Sequence, residues 1–237
     1  MTIRSASSFA TRCVATIGVS SALAWPMTDV RAGDALPRAE PPPSVALDVL
    51  SPTLKVGDLV FIRIGFKPFA EVAAATGTWT NHVGVVVDVT GGEPRIGESA
   101  FPLSRITTLS KFVRRSENGR FAVLRLKGDL TPVQERHVLA AAERRSGIFY
   151  DTGFDLHSRR EFCSRYAREV LNEATGHTVG EVETFGHLLA STPDANVAFW
   201  TIWYIGRIPW NRETVTPASM LRSEKMRTVF DGAASTG

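Results

Sequence analysis

The chain has 237 residues, 43% of them apolar, and a net charge of +3, which suits one domain with extensions and a full core. Its paired basic residues, Arg114-Arg115, Arg144-Arg145 and Arg159-Arg160, are scattered rather than gathered into a stripe with interleaved aromatics, which argues against a nucleic-acid partner. Two cysteines and five histidines show neither Cys-x-x-Cys nor His-Glu-x-x-His spacing, so neither a metal nor a cofactor is expected.

Arg4 and Arg12 precede a mildly apolar stretch from Cys13 to Trp25, and no acidic residue occurs before Asp29. Val30-Arg31-Ala32 offers small positions for cleavage after Ala32, so residues 1–32 read as a signal peptide and the protein as periplasmic or secreted. The alternative is a disordered or organellar extension. The stretch is too short and too rich in Ser and Thr to span a bilayer, and Cys13 lacks the flanks of a lipidated cysteine. Residues 33–46, with Pro37 and Pro41-Pro42-Pro43, read as a linker. A single domain is expected over 47–237.

Val56-Gly57-Asp58 is a turn, and the β-branched run through Ile64 a strand. Phe69 to Gly77 reads as a short helical connection. His82 to Val89 is nearly continuous valine, the pattern of a strand buried on both faces. Thr90 to Pro94 turns the chain into a second strand, Arg95 to Phe101, and Phe121 to Leu126 is another. Thr131-Pro132 starts a helix that runs to about Arg145 and stops at Gly147; a second helix covers Ser164 to Ala174 and stops at Gly176. Val197 to Trp210 is aromatic but broken by Arg207 after about ten apolar residues, half of what a span needs. It reads as a buried strand, the alternative being contact with an apolar substrate or a membrane surface. Thr216 to Leu221 begins a last short helix.

Cys163 is the only cysteine after the predicted cleavage point, and it opens the second helix. Unpaired N–H groups and the helix dipole favour a thiolate there, and the thiolate is the nucleophile. A lone thiol in an oxidising compartment points to catalysis. His82, at the head of the valine strand, is the best-placed base. His137, His157, His177 and His187 lie in a helix, near turn residues, after a helix stop and in an unassigned segment. Glu98 in the neighbouring strand can orient the imidazole if the hairpin register puts it on the same face; a one-residue slip makes it an exposed charge instead.

Gly57-Asp58-Leu59-Val60-Phe61, Asn81-His82-Val83-Gly84-Val85-Val86 and Gly97-Glu98-Ser99-Ala100 resemble the first half of the permuted papain-like amidases. These are YiiX/YebB-like cysteine hydrolases of the NlpC superfamily, related to lecithin retinol acyltransferases. Gly147-Ile148-Phe149-Tyr150-Asp151 upstream of Phe162-Cys163-Ser164 resembles their second half. The resemblance runs from Val56 to Gly176, with a weaker echo from Thr216 to Val229. It implies an α+β, circularly permuted papain-like fold, in which a small antiparallel sheet or partial barrel packs against the helix bearing the cysteine. It also implies Cys163 as nucleophile, His82 as base, Glu98 as orienting residue and Tyr150 as a site residue that helps polarise a carbonyl. Tyr150 as a core aromatic is the alternative. The family places an acidic and an apolar residue soon after Cys-Ser, where this chain has Arg165-Tyr166.

The functional expectation is an exported cysteine amidase or peptidase acting through an acyl-enzyme on Cys163, with a cell-wall peptide or related amide as substrate. A lipid-directed thioesterase, deacylase or acyltransferase, with peripheral membrane contact, is the second reading. An inactive binding module is the third. Gly65 to Asn81 and Thr107 to Gly119 are the expected rim of the cleft.

Overall fold

The computed structural model describes residues 43–235; the predicted signal peptide and most of the predicted linker lie outside them. In chain order the elements are β1 (Ser44–Val45), α1 (Leu47–Leu50), β2 (Leu59–Ile64), α2 (Lys67–Thr76), β3 (His82–Asp88), β4 (Arg95–Glu98) and β5 (Arg105–Thr108). There follow α3 (Leu109–Val113), β6 (Ser116–Leu126), α4 (Pro132–Arg144), α5 (Cys163–Thr175), β7 (Val182–Thr184), α6 (Phe185–Ser191), α7 (Val197–Trp203), β8 (Glu213–Val215), α8 (Pro217–Leu221) and β9 (Met226–Ala234). The fold thus begins within the predicted linker, since β1 pairs with β9.

Seven strands form one mixed sheet in the order β1-β9-β6-β2-β3-β4-β5, and β7 and β8 form a separate ribbon. Both faces of the central strands are buried, which is why the valine run shows no alternation. On one face, Leu59, Phe61, Val83, Val85 and Val87 pack against Val138, Ala141 and Ala142 of α4 and Ala167, Val170 and Leu171 of α5. On the other, Val60, Ile62, Val86 and Ile96 pack against Leu50, Leu54, Leu109 and Phe112.

Local chemistry fixes the parts that carry the site. Gly57 sits at φ 90°, a turn conformation that favours glycine. The buried Asp58 accepts two bonds from Arg125, each 2.7 Å, and one from the Lys55 N–H. Asn81 clamps β2 through both ends of its amide, accepting from Ile64 N at 2.7 Å and donating to Ile64 O at 3.0 Å. That clamp sets where β3 starts. Helix α4 carries a full capping box, Thr131 with Gln134.

The aromatic run is not a strand. Asn196 caps its start by accepting from Phe199 N, so Val197–Trp203 is a helix, with Trp200 buried. The helix ends in a Schellman turn, with Gly206 N bonded to Thr201 O and Ile205 N to Ile202 O. Trp200 packs with Phe185, Leu189 and Phe154 in a small second core beside α2 and α6.

Candidate active site

The register of β3 and β4 pairs Val86 with Ile96 and Val85 with Gly97. Ile96 and Glu98 therefore share the face of Val86, Gly84 and His82. Glu98 is wholly buried there. Its Oε2 accepts from His82 Nε2 at 2.7 Å and from Arg115 Nη2 at 2.6 Å, while Oε1 accepts from Arg105 Nε at 3.1 Å. Burial pushes the carboxyl pKa up, but the hydrogen bond and charge of His82 and the Arg115 guanidinium outweigh it and hold it at about 2.

The His82 ring is walled by aromatics. Phe112 stacks on it at 5.5 Å between centroids and Phe69 meets it edge-on at 6.3 Å. Arg115 in turn lies 4.9 Å over the Phe112 ring. With Nε2 taken by Glu98, Nδ1 is buried and has no formed hydrogen bond as the side chains stand. Its acidic neighbour is the Cys163 thiol. Burial lowers the imidazole pKa, yet the charge of the Cys163 sulfur and the hydrogen bond and charge of Glu98 raise it to about 9.

Helix α5 begins on Cys163 itself, with Phe162 as an extended N-cap and no side chain capping the first N–H groups. Those groups remain free for an anion. Burial raises the Cys163 pKa, but the His82 charge, with the N–H groups of Val83 and Ser164, brings it below its ordinary value. The sulfur lies 3.9 Å from the Asn81 carbonyl oxygen, so the residue that clamps β2 also flanks the thiol. Ser99 Oγ donates to Glu161 O and Ser164 Oγ to Val215 O, tying the helix start to β4 and β8.

Tyr150 is buried, with Phe69 and Phe154 packed edge-on against its ring. Its hydroxyl has no hydrogen-bond partner among the described residues. Burial, then the Cys163 charge, pushes its pKa well above 10 and keeps it a neutral phenol. The four residues singled out in the sequence, Cys163, His82, Glu98 and Tyr150, are thus brought together. Arg105, Arg115 and Phe112 were not foreseen. Arg114-Arg115 reads in the sequence as one more scattered basic pair, and only the folded register reveals which of the two turns inward.

The thiol opens into a narrow cleft lined by Val72, Phe154, Phe185, Leu188, Trp200 and Val215, with Thr214 and Thr216 at its edge. Among the described residues, no charged side chain lines it. Of the two segments expected as rim, Gly65 to Asn81 does contribute, through Val72, Ala75, Thr76 and Asn81. Thr107 to Gly119 instead lies behind His82, supplying Phe112 and Arg115. The Arg165 that follows Cys-Ser donates to the carbonyls of Ser158 and Arg160, bracing the loop before α5.

A buried thiol held below its ordinary pKa, beside an imidazole fixed by a carboxylate, is the arrangement of an activated nucleophile with its base and orienting group. A family model described as permuted papain-like amidase enzyme, YaeF/YiiX, C92 family, matches residues 53–230. The uncharacterized protein YiiX of Escherichia coli K12 is 26% identical over 175 residues, covering 74% of this chain and 85% of that protein. The crystal structure of the metalloprotein YiiX from Escherichia coli O157:H7 superposes with a TM-score of 0.70 at 24% identity, over 76% of this chain and 98% of that one. The α+β permuted papain-like fold expected from the sequence is therefore the fold observed, and the chain belongs to the permuted papain-like amidase family of the YaeF/YiiX type.

Proposed function

We propose that the protein is a cysteine hydrolase that cleaves an amide or ester of an apolar acyl group through an acyl-enzyme on Cys163. The observation that carries this reading is the line of hydrogen bonds from the Arg115 and Arg105 guanidiniums through Glu98 to His82, with the charge of that imidazole acting on the Cys163 thiol. The thiolate attacks the carbonyl carbon, and the C=O electron pair moves to oxygen. The N–H of Cys163 at the helix start and the Tyr150 hydroxyl are the donors on hand for that oxyanion. The His82 imidazolium gives its proton to the leaving nitrogen or oxygen, and the neutral ring then takes a proton from water as the water attacks the thioester.

The lining of the cleft favours one of the two substrate classes expected from sequence. A cell-wall peptide carries carboxylates and ammonium groups that need charged or strongly polar partners. The walls here are mainly aliphatic and aromatic, with the uncharged Thr76, Asn81, Ser164, Thr214 and Thr216 among them. This favours the lipid-derived acyl group, which the expected export does not contradict. The cleft is narrow, so an acyl chain has to part its apolar side chains to enter. Transfer to an acceptor other than water uses the same intermediate.

The YiiX structure is that of a metalloprotein. Among the described residues of this chain no group of three His, Cys, Asp or Glu side chains is arranged to hold a metal ion. The Glu98 carboxylate behind the imidazole is already shared by His82, Arg105 and Arg115. The donor set does not fit, and no step is routed through a metal.

Alkylation by iodoacetamide across pH tests the nucleophile. Labelling of Cys163 that stays fast well below a free-thiol pKa of about 8.5, and slows in His82→Ala, supports the pair. An ordinary thiol profile in both proteins leaves a binding module as the better account. Turnover of p-nitroanilides and p-nitrophenyl esters from acetyl to dodecanoyl, set against alanyl peptide amides, then tests the acyl class. Preference for the charged peptides would overturn it.

A further inference from the structure

Ile205 is held at φ 51°, the left-handed conformation at which a helix-ending turn ordinarily uses glycine. For a β-branched residue this is a strained backbone. The side chain gains nothing from the core in return, because the residue is 90% exposed. Ile202, one helical turn earlier, is 79% exposed. Trp203 lies between them in sequence, anchored by its indole N–H to Thr152 O at 3.0 Å. A fold that keeps an isoleucine strained and in water at the C-terminus of α7 is using it outside the molecule.

The neighbouring surface is of the same kind. Phe66, Phe101, Phe154 and Trp203 line a wholly apolar groove whose floor includes Tyr150, the residue that also lines the cleft at the thiol. Phe66 is 66% and Phe101 69% exposed. Of the segments that supply these residues, 59–70, 99–108 and 197–212 contain Arg63, Lys67, Arg105, Arg207 and Arg212 and no Asp or Glu, while the segment of Tyr150 and Phe154 carries the buried Asp151 and the half-buried Asp155, the latter 3.8 Å from Arg212. Lys67 and Arg207 are exposed beside the apolar side chains. A protein partner would meet a patch of this size with a complementary acidic rim. Separate projecting apolar side chains set among cations match instead a layer of acyl chains beneath anionic headgroups.

We propose that the face formed by Ile202, Trp203, Ile205, Phe66 and Phe101 docks the protein on an anionic lipid bilayer, so that the groove leads from the lipid surface towards Tyr150 and Cys163. No helix among the described residues is long and apolar enough to cross a membrane; the contact is with the surface layer. The inference extends the lipid reading of the active site, but docking itself does not need Cys163.

The test is sedimentation of the full chain with vesicles of phosphatidylcholine and phosphatidylglycerol at 3:1, compared with phosphatidylcholine alone. Wild type is expected to partition to the anionic vesicles, and less so as salt is raised. Ile205→Gly fits the left-handed turn better than isoleucine, so its melting temperature is expected to hold or rise while its partition falls about tenfold. Ile202→Ser is expected to fall similarly, and Cys163→Ala to bind as wild type does, which separates docking from chemistry. Equal partition of wild type and Ile205→Gly, or no partition of wild type at any lipid concentration, overturns the proposal. So does a dimer in solution that Ile205→Gly dissolves, because a second copy would then be the occupant of this face.

Discussion

Arg115 and His82 meet at one atom, Oε2 of Glu98, which accepts from the guanidinium at 2.6 Å and from the imidazole at 2.7 Å. The carboxylate is thereby kept ionised where no water reaches it, and it can hold a charged imidazole without itself taking up the proton. Arg115→Met leaves Arg105 as the one guanidinium on Glu98, beside the His82 imidazolium. Loss of about 1–3 kcal/mol of stability at pH 7 is expected for breaking a buried charge-assisted pair. Urea unfolding measures it, and Arg115→Lys should recover part, since the charge returns without the planar fork.

Glu98→Gln tests the other side of the same contact. The amide still bonds to His82 but no longer favours its charged form, so the imidazole pKa falls from about 9. The alkaline limb of the pH–rate profile should move to lower pH, alkylation of Cys163 near pH 6 should slow, and turnover should fall at least about tenfold. A profile that shifts in neither limb would mean that Glu98 serves only the fold.

Acid stability follows from the same carboxylate. Its pKa is depressed in the folded protein, from an ordinary 4.5 to about 2. Its contribution is therefore fully present above pH 4.5 and is lost as pH falls through 2, about 3 kcal/mol in all. Unfolding free energies measured at intervals from pH 6 to pH 2 should show this slope, and Glu98→Gln should lack that part of it.

Tyr150→Phe separates stability from catalysis. The hydroxyl is buried without a partner, so removing it should leave the melting temperature unchanged or raise it. If it serves the oxyanion, kcat should drop about a hundredfold with little change in KM. Unchanged kcat would return Tyr150 to the role of a core aromatic.

Gly84→Ala probes the wall behind His82. A Cβ there would come within 2.5 Å of Ile96 Cγ2 and 2.8 Å of Phe112 Cε2. Phe112 is the ring stacked on His82, so the overpacking, about 1–3 kcal/mol, should reach the imidazole as well as the core. Thermal melts and the alkylation rate of Cys163 should both change, whereas a distant overpacked site would change only the first.

The central strands and both main helices were legible because their signals are local: valines buried on two faces, Thr131-Pro132 as a start, Gly147 and Gly176 as stops. So were Cys163 at a helix start and His82 at a strand head. The hairpin register, on which Glu98 depends, had no local signature; it is fixed by partners from both sides, Gly57 N to Val86 O among them. The Val197–Trp203 helix was missed because a short aromatic run has no readable period, although Asn196 was its capping signal. Strand β9, with Asp231 and Gly232 in it, shows no alternation. Its place between β1 and β6 comes from the sheet and not from its own residues.

The first and last strands of the described fold lie side by side and run parallel, Ser44 opposite Ala233, and Ala233 N bonds back to Pro43 O at 2.8 Å. The point where the chain enters the sheet is therefore a few ångströms from the point where it leaves. A short bridge would join them, and the ring so closed could be opened in the stretch between α4 and α5 without cutting a strand. The thiol would then precede the imidazole in the covalent order while every contact around Glu98 stayed as it is. The order of histidine before cysteine in this chain is thus a property of where the loop of backbone is cut, and the site is indifferent to it.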